Sequence, residues 1–162
     1  MSLTALWTSI ENLPISMYIG GSWWFPFLES IHVITAAFVL GSILMVDLRL
    51  LGLAARVHPI RRITREVIPW TSGACAVSVV SGLGMFITRA GHYAANPAFQ
   101  LKIGFLILAG INMAVFHLAT ARGMAQWDRA AATTGASKFA GACSLLVWIG
   151  VMLTGRWVGH LL

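Results

Sequence analysis

Four stretches of this chain, about 25–46, 69–87, 99–121 and 139–157, consist mostly of apolar and small residues. Each is close to the ~20 residues that a helix needs to cross roughly 30 Å of hydrocarbon. A helix satisfies its own backbone N–H and C=O groups, so such stretches need neither water nor a partner strand. No alternating apolar–polar pattern competes with them. Of the 162 residues, 58% are hydrophobic and 10% charged, whereas soluble domains average roughly 45–50% and about 25%. So few charges cannot clothe a soluble domain of this length. Disorder, a nucleic-acid-binding domain and a cytosolic enzyme are therefore excluded, despite a net charge of +6. The expected fold is an all-α membrane protein, with residues 1–162 forming one transmembrane domain. Short connections make it an antiparallel bundle of four transmembrane helices.

Charge placement orients the bundle. Arg49, Arg56, Arg61, Arg62 and Arg65 flank the first connection, and Arg122, Arg129 and Lys138 flank the third. Only Arg89, Lys102 and Arg156 fall on the opposite side, and the last two are expected to snorkel outward from helix ends. The basic-rich side faces the cytoplasm, which puts both termini in the periplasm of a bacterial inner membrane. Trp23, Trp24 and Trp157 fall at the outer interface and Trp70 and Trp127 at the inner one, as interfacial tryptophans do. The partner these features imply is the lipid bilayer, including its anionic headgroups, and not nucleic acid.

The first 20 residues lack the basic n-region and long apolar run of a cleavable signal peptide. Leu3, Leu6, Trp7 and Ile10 recur instead at helical spacing, after Ser2 as N-cap and before Pro14. An amphipathic interfacial helix is expected there, lying on the outer face and docking on the bundle.

Five histidines are the best candidates for chemistry. His32 and His117 lie within the first and third spans, where ionisable groups are costly and usually face the interior. His32 falls near the outer interface and His117 near the inner one, so the two are not level. His32 is expected to pair with His92, or with His160 as the alternative outer ligand, and His117 with His58. Two imidazoles at matched heights on separate segments suit a b-type haem, and the absence of C-x-x-C-H excludes covalent attachment. The competing reading is that each histidine hydrogen-bonds a neighbouring helix or the headgroup layer. Glu29, one turn before His32, is expected to orient that imidazole. Asp47 and Arg49 point in different directions at the inner helix end, either as structural anchors or in proton delivery and quinone binding. Ala74, Ser78, Ser81 and Gly82 form a small-residue face on the second span, and Gly110 and Ala114 a small pair on the third. Such faces allow close helix contact or clearance for a flat cofactor. Cys75 and Cys143 fall at similar depth, either as packing residues or as a copper or disulfide site.

The stretch from Glu29 through His32, Gly41, Asp47 and Arg49 to Gly52 resembles the first-helix signature of a small bacterial inner-membrane family of unknown function. More remotely, an early first-helix histidine followed by a helix-interior glycine is similar to the four-helix protoporphyrinogen oxidases and to copper-resistance membrane proteins. The oxidase resemblance implies that His32 is a haem ligand. No equivalent of that family's later catalytic lysine region is read here, so the resemblance does not extend to porphyrinogen oxidation. The function expected is a small b-type cytochrome with one or two haems. It moves electrons between a periplasmic redox protein, or a larger membrane complex, and the membrane, with a quinone as another terminus. The alternatives are a non-catalytic membrane anchor or assembly subunit, and a metal or small-solute transporter.

Overall fold

The computed structural model describes residues 2–53, 60–115 and 135–160, and of 60–64 the backbone alone. Among the described residues the regular elements are all helical: α1 (Leu3–Glu11), α2 (Pro14–Gly20), α3 (Trp24–Leu51), α4 (Ile60–Phe86), a 3₁₀ turn (Ile87–Arg89), α5 (Ala90–Ala95), α6 (Pro97–Val115) and α7 (Gly135–Val158). Among the described residues four segments are long and apolar enough to cross a membrane: Trp24–Leu51, Arg65–Ala95, Pro97–Val115 and Gly135–Val158. Their outer surfaces carry large apolar side chains. Ile34 is 68% exposed, Val80 68% and Leu146 69%. In water this would be an unusually large apolar surface, and it suggests a lipid bilayer environment.

The interior reverses the pattern of a soluble core. Its fully buried side chains include Ser16, Ser81 and Ser137, not large aliphatics. Small residues let helices approach closely where lipid competes for every apolar surface. Ser42 and Ser81 donate to the carbonyls of Phe38 and Val77, each at 2.8 Å, so their hydroxyls carry no unmet bond into the interface. α4 packs along α3, α3 along α7, and α7 along α6. A Cβ built on Gly150 would lie 2.8 Å from the Phe105 ring, and one on Gly141 would lie 3.0 Å from Leu50 Cβ. The Gly141 contact depends on glycine, because Leu50 Cβ cannot swing aside, and at Gly150 the Phe105 ring would have to shift.

The ends are set by local chemistry. α3 runs past Asp47 and Arg49, which are both buried, to a left-handed Gly52 at φ 77°. The Gly52 N–H bonds Arg49 O at 3.1 Å and the Leu53 N–H bonds Leu48 O at 2.9 Å, a Schellman ending. α6 starts at Pro97, with Asn96 as its cap: Asn96 Oδ1 accepts from the N–H groups of Ala98 (2.9 Å) and Phe99 (3.3 Å). α4 begins well before Pro69, which is an interior helix residue and not a helix start. Ser2 caps α1 through the Ala5 N–H, and Pro14 opens α2. α1 docks on α5 and the 3₁₀ turn, with the Trp7 ring edge-on to Phe86 at 5.9 Å.

One packing expectation is corrected. Gly110 and Ala114 are exposed, and a Cβ on Gly110 would meet nothing within 4 Å. The inward stripe of α6 is instead Ala98, Lys102, Phe105, Ala109 and Asn112, whose amide donates to Ala140 O on α7.

Candidate functional site

The small-residue face of α4 has a specific occupant. Ser78, Ser81 and Gly82 surround the imidazole of His32, which projects from α3 into the seam between the two helices. His32 Nδ1 lies 2.8 Å from Ser78 O and 3.3 Å from the hydroxyls of both Ser78 and Ser81. A carbonyl only accepts, so Nδ1 carries the proton and donates it to Ser78 O. The other nitrogen, Nε2, thereby presents its lone pair. A Cβ on Gly82 would stand 3.1 Å from the ring's Cε1, so the imidazole lies directly over the α4 backbone there.

Facing that lone pair is Lys102. Its Nζ lies 3.4 Å from His32 Nε2, and its amine donates there. The stem runs along α7, since a Cβ on Gly155 would sit 3.4 Å from Nζ and 3.6 Å from Cε. All four long helices thus contribute: His32 from α3, the serines and Gly82 from α4, Lys102 from α6 and Gly155 from α7. Lys102 corrects the expectation of an outward-snorkelling helix-end residue. Because α6 starts at Pro97, Lys102 lies about 7.5 Å into the helix and on its packed stripe. The signal available in the sequence was a lysine inside an apolar span, which by default marks a functional position.

The remaining candidates fall elsewhere. Glu29 is exposed and does not orient the imidazole, because the Ser78 carbonyl takes the Nδ1 proton and Lys102 takes Nε2. His92 is exposed on α5, and His160 is exposed with its ring edge-on to Trp157 at 6.4 Å. Neither is among the hydrogen-bonding partners of His32. The inner pair, His58 and His117, lies outside the described residues. Asp47 is buried against α7, where the Ser144 hydroxyl donates to it, and among the described residues Oδ2 has no partner. Cys75 is exposed, Cys143 is half-buried, and both are free thiols. Among the described residues no group of three or more His, Cys, Asp or Glu side chains is arranged to hold a metal ion.

The donor set can nevertheless be tested against a haem iron. A metal–imidazole bond is about 2 Å long, and His32 is the residue that would hold the iron. The nitrogen free to ligate is the one facing the lysine, 3.4 Å from its Nζ. The pair as it stands is a direct hydrogen bond, so a metal at Nε2 would take the place of the Lys102 contact.

Residues 7–161 match a protein family described as a family of unknown function (DUF6644), and the chain belongs to that family. No curated protein matches the chain. No solved structure matches it either.

Proposed function

Because membership of that family brings no activity with it, we propose a function from the geometry: a haem-b-binding redox subunit of a bacterial inner membrane. In this reading the four long helices form an antiparallel bundle that crosses the bilayer, with α1, α2 and α5 on its periplasmic face. Support for the direction comes from the contacts, which pair Lys102 with Gly155, Phe105 with Gly150 and Asn112 with Ala140. Support for the orientation is the excess of Arg and Lys in the first and third connections.

The observation that carries the proposal is the fixed imidazole of His32. The Ser78 carbonyl sets its tautomer and holds its plane, as the outer partners of metal-bound histidines do. Lys102 covers Nε2 while no ligand is there, and would supply a second nitrogen ligand as the neutral amine or a partner for a carboxylate of the bound group as the ammonium. A haem held this way supplies one-electron exchange with a periplasmic redox protein or a quinone.

Protein purified in detergent from haem-replete cells is expected to show a Soret band that shifts on dithionite reduction, with haem quantified as its pyridine haemochrome. His32→Ala removes the band, and Lys102→Met alters its position or intensity. A colourless wild-type preparation would overturn the proposal and favour the anchor or transporter readings. A spectrum unchanged in His32→Ala would overturn the ligand assignment.

A further inference from the structure

A cavity of about 360 Å³ lies at the same end of the molecule, between α1, α2, the start of α3 and the 3₁₀ turn. Its size is within the range of small-ligand sites, about 300–1,000 Å³. Glu11 and Arg89 both line it, with Met17 and Phe25 as apolar wall and Thr88 beside Arg89. Glu11 Oε1 accepts the Gly91 N–H at 2.8 Å, which fixes the carboxylate and leaves its other oxygen for a ligand. Among the described residues no ion pair joins Glu11 to Arg89, although both border one cavity.

Opposite charges on the wall of one cavity, with no ion pair between them, favour an occupant that carries both signs. A simple anion would be repelled by Glu11 and a simple cation by Arg89. An uncharged ligand would use neither charge. A molecule bearing an amine and an anionic group a few bonds apart meets both. We propose that this cavity binds the head group of an ethanolamine phospholipid, with the phosphate at Arg89 and the ammonium at Glu11. Arginine's fork of N–H donors matches phosphate oxygens. The carboxylate accepts hydrogen bonds that an ammonium offers and a quaternary choline lacks. Choline recognition relies on an aromatic cage, and Phe25 is the one aromatic ring lining the cavity. The cavity lies where the spans end, which is the headgroup level of a bilayer. The proposal therefore rests on the membrane reading above and is independent of the haem.

The test compares phosphatidylethanolamine, phosphatidylglycerol and phosphatidylcholine with identical acyl chains, each added to delipidated full-length protein and followed by native mass spectrometry. Wild type is expected to retain phosphatidylethanolamine about tenfold better than either competitor, one decade in affinity. Glu11→Gln keeps an oxygen for the Gly91 N–H and is expected to abolish the advantage over phosphatidylglycerol. Arg89→Gln weakens all three, and Arg89→Lys restores binding, which separates loss of the site from loss of the fold. Equal retention of the three lipids by wild type, or an undiminished preference in Glu11→Gln, overturns the proposal. Failure of millimolar soluble phosphoethanolamine to displace the lipid supports a lipid ligand, and displacement overturns that assignment in favour of a free amino-phosphate. A chain that stays soluble without detergent would instead defeat the membrane reading itself.

Discussion

At the scale of single residues, the chemistry concentrates where a polar side chain is held by groups too small to move aside. His32 meets this condition on one side at the Ser78 carbonyl and on another at Gly82, where a Cβ would lie 3.1 Å from Cε1 and 3.3 Å from Nδ1. Gly82→Val therefore has to displace the imidazole, and overpacking of this kind costs about 1–3 kcal/mol. Gly73, on the same helix, faces open space, so Gly73→Val is the matched control. Thermal unfolding in detergent is expected to show a lower midpoint for Gly82→Val than for Gly73→Val, and on the haem proposal the haem content falls only in the former. Equal midpoints for the two variants would mean that the ring is not seated against α4. His32 itself was legible in the sequence as an ionisable residue within a span. Its partners were not, because Ser78 acts through a backbone carbonyl, which every residue possesses.

At the scale of elements, α6 shows how much a boundary decides. The Asn96–Pro97 pair is a recognisable helix start, with a capping side chain and then a residue whose φ is already helical. Starting the helix there rather than near Phe99 moves Lys102 deeper into the span. Asn96 also ties α6 to α7, its Nδ2 donating to Val158 O at 3.3 Å in a buried setting. Asn96→Ala is expected to cost about 1–2 kcal/mol for the lost cap, together with the penalty of a buried unpaired carbonyl. Asn96→Asp keeps the cap, loses the donor and should fall between. Thermal midpoints of the three proteins in one detergent check the ranking, and an Asp variant no better than Ala would show that the cap contributes little. The N-terminal helix was readable for the same local reasons, since Ser2 and the spacing of Leu3, Leu6, Trp7 and Ile10 all act within one or two turns.

At the scale of the whole molecule, an even number of spans returns the chain to the side it started from. Reporter fusions at the N-terminus and after Leu162 are expected to give the same compartment, the periplasm, and a fusion in the third connection the opposite one. Termini on opposite sides would require one of the four apolar segments to lie outside the bilayer. The assembly also places the His32–Lys102 pair and the Glu11–Arg89 cavity toward the same end, beneath and beside the short helices α1, α2 and α5.

The existence of four apolar helices follows from the sequence by itself, because span length and hydropathy are properties of about 20 consecutive residues. The small-residue face of α4 followed as well, since small and large residues there segregate by helical angle. The rotation of α3 and α6 about their own axes could not follow, and only the tertiary structure decided it. Both helices are apolar on nearly every side, so nothing local distinguishes the face that meets protein from the face that meets lipid. Packing against α4 and α7 chooses that face, and in choosing it turns Lys102 inward to His32 and leaves Gly110 and Ala114 outside.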